Sequence, residues 1–383
     1  MCINKKYNIL ILVAFACIAI FSIVFLFLTS NNLSIQNYNT ELEFNGDNAY
    51  NYVQDQLDIG FRIPGTEERK ESAQYFISKF LEIDSNFTYI IHNFTVYTTE
   101  CQNILFKANE EYDNVIILGA HYDSRAKATR DPISENRSKP VPGANDGASG
   151  AAVLIELARV LYGQKDNLSS EIWFLFFDAE DQGGNGILGW DWIEGSEQFV
   201  NDLDDFYDSA TENIESMILL DMVGGTNLQF INEQYSTSSL LEELFAIGRN
   251  LGYTNEFPSN PVSRSIIDDH IGFLDLGIPS ADLIINFWDN PSWPYHHTTE
   301  DDISHISNYS LEVTGRTIEQ FVYNNYITDT NYNYQGNRPW DVDMSIPDMQ
   351  IIILLGLIFG FAGVAIIITL SIKKFVKKKE VNV

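Results

Sequence analysis

The sequence predicts an α/β fold: a three-layer α/β/α sandwich around a mixed, mostly parallel sheet. Three observations carry this. Short apolar runs occur at 115–120, 172–177, 217–220 and 281–285, the last broken only by Asp282, and such runs suit strands buried on both faces. Amphipathic segments with three- and four-residue apolar spacing alternate with them, the pattern of βα units. In three of the four runs a polar cluster follows directly: His121, then Asp178-Ala179-Glu180-Asp181, then Asp221. Ligands in open α/β sheets bind outside the carboxyl ends of the strands, so these clusters belong together.

The elements follow in order. Residues 31–46 are polar and Asn-rich, and read as a linker. Over 47–57, Tyr50, Val53 and Leu57 share one helical face, and Gly60-Phe61-Arg62-Ile63-Pro64-Gly65 breaks it. A second amphipathic helix spans 67–81, with Ala73, Phe76, Ile77 and Phe80 on one side. The period then changes, and 87–99 alternates like an edge strand. Further helices are expected over 148–161, 237–251, 269–276 and 311–326.

Two apolar stretches bound the chain. Residues 9–28 and 349–372 are uncharged, and each can cross a hydrocarbon core of about 30 Å as a helix. Lys5 and Lys6 precede the first; Lys373, Lys374, Lys377, Lys378 and Lys379 follow the second. The positive-inside rule puts both termini in the cytoplasm and the middle of the chain outside the cell membrane. A cleaved signal peptide is the alternative for the first stretch, although Thr29-Ser30-Asn31 is a poor cleavage site. The expected organisation is a cytoplasmic tip and signal-anchor (1–30), a linker (31–46), a folded domain (47–330), a second linker (331–348), a transmembrane helix (349–372) and a basic cytoplasmic tail (373–383).

The formal net charge is −30, which repels nucleic acid and would attract cationic substrates. A generally acidic surface suited to a salty medium is the plainer reading. Cys101 stands alone between the terminal segments, so no disulfide can form within the domain.

Singly, the polar clusters have ordinary explanations. A His at a strand end, such as His121, is commonly a hydrogen-bonded structural residue. Asp146, in Gly143-Ala144-Asn145-Asp146-Gly147-Ala148-Ser149-Gly150, could be a helix N-cap. The adjacent carboxylates of Glu180 and Asp181 could be a solvated loop, but at a strand end they repel each other. A divalent cation would resolve that, with one carboxylate binding it and the other free for acid–base work. Asp221 is the next strand-end carboxylate, and His297 lies in His296-His297-Thr298-Thr299-Glu300-Asp301 after the fourth apolar run. Taken together, two imidazoles and several carboxylates at one sheet edge suit catalytic zinc. Serine chemistry has no Gly-x-Ser-x-Gly motif to support it, and Cys101 has no partner motif.

His121-x-Asp123, Gly-Ala-Asn-Asp146-Gly-Ala-Ser-Gly, Asp-Ala-Glu180-Asp181, Leu-Leu-Asp221-Met and His297-Thr, in this order, resemble the co-catalytic zinc aminopeptidases and their relatives, the glutaminyl cyclases. The resemblance covers roughly residues 47–326. It implies that Asp146, Asp181 and His297 hold one zinc, and that His121 and Asp221, with Asp146 bridging, hold a second where one binds. It further implies Glu180 as general base and acid, and Asp123 as the carboxylate that orients His121. Peptide or protein N-termini are the implied substrates.

Within that resemblance, three features are similar to the bacterial glutaminyl cyclases. Asp181 stands where the aminopeptidases usually have Glu. The gap from Glu180 to Gly195-Ser196 is long, and Trp192 falls where those cyclases carry a pocket tryptophan. Ile267-Asp268-Asp269-His270-Ile271-x-Phe273-Leu274 resembles a cyclase segment in which the residue at Asp268 shares a proton network with Glu180 and Asp221. Gly272 replaces the usual Pro there, His296 stands where animal cyclases have Trp, and no cysteine pair matches the animal disulfide. The resemblance therefore implies a membrane-anchored glutaminyl-peptide cyclotransferase. A zinc aminopeptidase is the alternative. An inactive receptor-like or scaffold domain is the third reading, against which every ligand position is filled.

Overall fold

The computed structural model describes residues 37–38, 40–288, 290 and 293–328. Helix α1 (Gly46–Ile59) starts at Asn45, whose side chain accepts from the N–H groups of Asp47 and Asn48. Helix α2 (Glu67–Ile83) starts at Thr66, which accepts from Arg69 N–H. Strands β1 (Thr88–Val96) and β2 (Thr99–Ala108) pair antiparallel in a hairpin. Then come β3 (Asn114–His121), α3 (Ala148–Gly163), β4 (Glu171–Phe177), α4 (Glu194–Asn201) and β5 (Asn213–Asp221). A two-residue strand, β6 (Asn232–Glu233), precedes α5 (Ser238–Asn250), and its partner β7 (Ser263–Arg264) follows. Helix α6 (Ile271–Asp275), β8 (Ser280–Ile284) and α7 (Asn308–Tyr326) complete the domain.

The main sheet runs β1-β2-β4-β3-β5-β8. The pairs of β3 with β4, β3 with β5 and β5 with β8 are parallel, whereas β2 pairs antiparallel with both β1 and β4. The sheet is thus mixed and mostly parallel, as expected. Strand β4 shows why its run is apolar throughout. Trp173, Leu175 and Phe177 pack in one cluster with Phe199 of α4 and Phe273 of α6. Phe176, on the opposite face, stacks on Phe76 of α2 at 4.7 Å between ring centroids.

The local sequence pattern marks neither strand β2 nor helix α4. The first residues of β2 are polar, and the eight residues of α4 give barely two helical turns. The N-terminal end of the domain reaches into the segment expected as a linker. Phe44 is buried, and the N–H groups of Glu43 and Phe44 donate to Glu319 on α7 at 2.9 and 3.0 Å. Among the described residues no helix is long and apolar enough to cross a membrane. The two stretches expected to do so, 9–28 and 349–372, lie outside the described residues.

Candidate metal centre

Strands β3, β4 and β5 lie side by side in parallel, so their carboxyl ends place His121, the 178–181 turn and Asp221 along one edge. Three residues here hold left-handed backbone without being glycine: Ala179 (φ 61°), Met222 (φ 48°) and His297 (φ 58°). Conformations of this kind cost roughly 1–3 kcal/mol and gather at functional sites. The turn at Ala179 aims Glu180 and Asp181 inward, off the end of β4. Asp146 sits just before α3, and Gly147 (φ 102°) lets the chain pass close by. A Cβ at Gly147 would lie 2.5 Å from the Asp123 carbonyl oxygen and 3.1 Å from the His121 ring.

These residues form two linked groups, and Asp146 joins them. On one side, His121 Nε2 lies 3.2 Å from Asp146 Oδ1 and 3.2 Å from Asp221 Oδ1. On the other, His297 Nε2 lies 3.5 Å from Asp146 Oδ2 and 2.9 Å from Asp181 Oδ1. Donor atoms around a tetrahedral zinc, with bonds of 2.0–2.1 Å, are about 3.3 Å apart, and the contacts of His121 match that spacing; the donor atoms that all close on one another are those of His121, Asp146 and Asp221 on one side and of Asp146, His296 and His297 on the other. Asp146 Oδ2 and Asp181 Oδ2 are buried and take no hydrogen bond from the described residues. Two buried carboxylate oxygens without donors fit a bound cation. Burial pushes the His297 imidazole down to about 3, against the opposing pull of Asp146, and neutral imidazole is the form that ligates metal.

Asp123 lies beside His121 and also holds the neighbouring turn. Its carboxylate lies 3.5 Å from His121 Nδ1. It also accepts from the N–H groups of Glu180 (3.0 Å) and Asp181 (3.3 Å) and from Gln182 Nε2 (2.8 Å). Asp123 therefore anchors the turn that carries Glu180 and Asp181. Burial alone would push the His121 imidazolium down, but Asp123, Asp146 and Asp221 outweigh it, and the net shift is well upward.

Glu180 is buried beside these groups. Burial raises its carboxyl well above the usual range; His121 opposes this, while Asp268, Asp181 and Asp269 add to it. Asp268 behaves alike: burial first, then Asp221 and Asp269, raise it strongly. Asp268 Oδ1 accepts from the N–H group of Asp269 at 2.7 Å, and its Oδ2 is buried with no donor among the described residues. Glu180, Asp221 and Asp268 are thus buried carboxyls, each raised above the usual range, and Asp268 is coupled by charge to both of the others. His270 turns aside, with Nε2 3.3 Å from Glu233.

Trp192 is half-buried and stacks on His297, with ring centroids 5.8 Å apart and planes 13° apart. Trp190, by contrast, belongs to a small core cluster with Cys101 and Ala179 behind the Glu180 turn.

Three buried residues of the centre escaped the sequence reading. Arg125 donates from Nη1 to Asp181 Oδ1 (2.8 Å) and to the Asp181 carbonyl (2.7 Å), and its guanidinium lies 4.9 Å from the Trp192 ring. Arg62 donates to the carbonyls of Tyr122 (2.8 Å) and Gly143 (2.6 Å), clamping two site loops together. Asp301 accepts from the N–H groups of Asn145 (2.8 Å) and Asp146 (3.1 Å). The signal available for Asp301 was its place four residues after His297; Arg125 stands just after the His121–Ser124 segment.

The chain is similar to known proteins in both sequence and fold. Residues 103–322 match peptidase family M28. The aminopeptidase YwaD of Bacillus subtilis is 30% identical over 221 residues, 56% of this chain but only 42% of that protein. The chain thus spans less than half the length of that relative. The glutaminyl cyclase of Bacteroides thetaiotaomicron superposes with a TM-score of 0.67 at 30% identity, covering 74% of this chain and 99% of that one. A Zn-dependent exopeptidase from Parabacteroides distasonis superposes equally well, with a TM-score of 0.67 at 29% identity, 74% of this chain and 100% of that one.

Proposed function

Because the chain belongs to peptidase family M28, we propose that it is a zinc-dependent enzyme acting on peptide N-termini, and that its reaction is glutaminyl cyclisation with release of ammonia. The observation that carries the cyclase reading is Asp268. Its carboxyl is buried, with one oxygen lacking any donor among the described residues, and its charge acts on that of Glu180 and is acted on by that of Asp221; cyclisation needs a proton moved from one nitrogen to another within a single site.

In that reaction the α-amino nitrogen of an N-terminal glutamine attacks the side-chain amide carbon. A ring C–N bond forms, and the bond to the amide nitrogen breaks. Glu180 accepts the proton lost by the α-amine and hands it to the departing nitrogen, which leaves as ammonia. Asp268 and Asp221 hold the proton network that keeps Glu180 poised. Asp146, Asp181 and His297 would hold the zinc, which when bound supplies Lewis-acid polarisation of the carbonyl under attack.

One observation favours a second reading. His121, Asp146 and Asp221 form a compact donor group of their own, which suits a second ion and hence an aminopeptidase. In that case Glu180 would take its proton from the attacking water. Incubating the protein with a Gln-peptide and a Leu-peptide separates the two. Ammonia without free amino acid is the expected outcome, and free leucine as the main product sinks the cyclase reading.

We also propose that stretches 9–28 and 349–372 anchor the enzyme in the cell membrane, with the domain outside and both termini in the cytoplasm. Their uncharged length and flanking lysines support this. Protease added to intact cells should degrade the domain and spare the C-terminal tail. Protection of the domain would overturn that orientation.

A further inference from the structure

Neither reaction uses His296, yet it lies against the centre. Its side chain is 11% exposed, and Nε2 ends 3.9 Å from Asp146 Oδ2. The ring packs 3.6 Å from that of His297 and 4.0 Å from that of Phe287. By position, His296 forms a donor group with Asp146 and His297. It therefore competes with Asp181 for the place of the third ligand.

The tautomer decides between them. Arg130 Nη1 lies 2.8 Å from His296 Nδ1, and a guanidinium can only donate. Nδ1 must then be the accepting nitrogen, and the ring proton sits on Nε2. A protonated ring nitrogen has no lone pair to offer a metal. Arg130 is itself tethered, because its main-chain N–H donates to the His297 carbonyl at 3.1 Å and its guanidinium lies 5.9 Å from the centre of the Phe287 ring. At 3.9 Å, Asp146 Oδ2 is outside hydrogen-bond range of Nε2. The Nε2–H group thus faces the Asp146 edge of the centre without being consumed by it.

We propose that His296 is a substrate-positioning residue and not a metal ligand: its Nε2–H donates to a carbonyl oxygen of the peptide bound at the centre, and Arg130 enforces the tautomer that makes this possible. This rests on the reading of the centre as a zinc site that takes peptides. The third ligand is then Asp181, whose Oδ1 is fixed by Arg125 and whose Oδ2 has no donor among the described residues.

The test uses the full chain and three variants. H296F keeps a flat ring and removes the donor, H296Q returns an N–H close to the Nε2 position, and R130M removes the group that sets the tautomer. Zinc per chain is measured by elemental analysis, affinity for leucine hydroxamate by calorimetry, and KM and kcat on a Gln-peptide. All three variants should keep the wild-type zinc content. Hydroxamate affinity should weaken about tenfold in H296F and about threefold in R130M. KM should rise in parallel while kcat stays within about twofold, and H296Q should recover most of the loss. Loss of zinc in H296F overturns the proposal by making His296 a ligand. Unchanged hydroxamate affinity in H296F overturns it too. Should H296F fail to fold, R130M decides alone, and unchanged affinity there overturns the proposal. If the wild-type chain turns over neither peptide, the proposed function falls, while zinc content and hydroxamate affinity still judge His296.

Discussion

Buried carboxylates occupy two regions of this molecule, and the two regions treat them differently. In the helical layer, Glu156 on α3 accepts from Asn45 N–H at 3.2 Å and Asn48 Nδ2 at 3.1 Å, and pairs with Arg159 at 2.6 Å. Glu319 on α7 accepts from two main-chain N–H groups. At the sheet edge, Asp146 Oδ2, Asp181 Oδ2 and Asp268 Oδ2 are buried with no donor among the described residues. A carboxylate met by fixed donors is electrostatically complete and ties elements together. One that faces mainly other carboxylates needs a cation or a proton. The helical layer therefore reads as architecture and the sheet edge as chemistry, although both look alike in composition.

The strongest way to break this contrast is to remove one carboxylate from each region. D181A should drop zinc well below one per chain and lower turnover by more than about a thousandfold. E319Q should leave zinc and turnover at wild-type levels. Elemental analysis and peptide turnover read both, and zinc retained in D181A would remove Asp181 from the ligand set. E180Q should come next in size. It should cost about 10²–10⁴ in kcat while zinc stays bound, because Glu180 is assigned to the proton and not to the metal. Zinc lost in E180Q would mean that the two carboxylates of the turn are not divided in this way.

How much of this contrast could be read beforehand depends on how local the signal is. His121, Asp181 and Asp221 were legible because each ends an apolar run, and a strand's end is visible in the period of its own residues. Asp146 was legible from the glycines that crowd it. Arg62, Arg125 and Asp301 were not, because their partners lie far along the chain: Arg62 meets the Gly143 carbonyl, Asp301 meets the Asn145 N–H and Arg125 meets the Asp181 carboxylate. Nothing in local spacing records such a contact. Strand β2 failed for a related reason. Gln102 N–H donates to Asp178 Oδ2, and Asn103 Oδ1 accepts from Asp178 N–H. Its polar residues serve the neighbouring site turn and so disguise the strand.

D268N sharpens the comparison inside the sheet edge. Asparagine keeps the size of the carboxyl and its power to donate, but it has no proton to release. If Asp268 belongs to the moving network, kcat on a Gln-peptide should fall about ten- to a hundredfold. KM and zinc content should hold. An unchanged kcat would take Asp268 out of the proton network and remove the observation on which the cyclase reading stands.

The smallest effect tests the helical layer where it resembles the sheet edge. Glu243 on α5 is 3% exposed; its Oε1 accepts from Asn325 at 2.9 Å, but its Oε2 has no donor among the described residues. Burial pushes its carboxyl up to about 7, from an ordinary value of 4.5. Between those values the native state holds a proton that the unfolded chain releases, so stability falls as pH rises. Below about pH 4 both states are protonated and there is no penalty; above about pH 8 the penalty is complete, at roughly 3–4 kcal/mol. Glutamine keeps the acceptor for Asn325 and cannot ionise. E243Q should therefore raise the urea midpoint at pH 8 and leave it nearly unchanged at pH 4.5, with zinc content unaffected. Equal shifts at both pH values would mean that packing, and not the uncompensated charge, sets the difference. In that case an orphaned buried oxygen would not by itself mark a site of chemistry, and the distinction between the two regions would have to rest on the crowding of carboxylates around His121 alone.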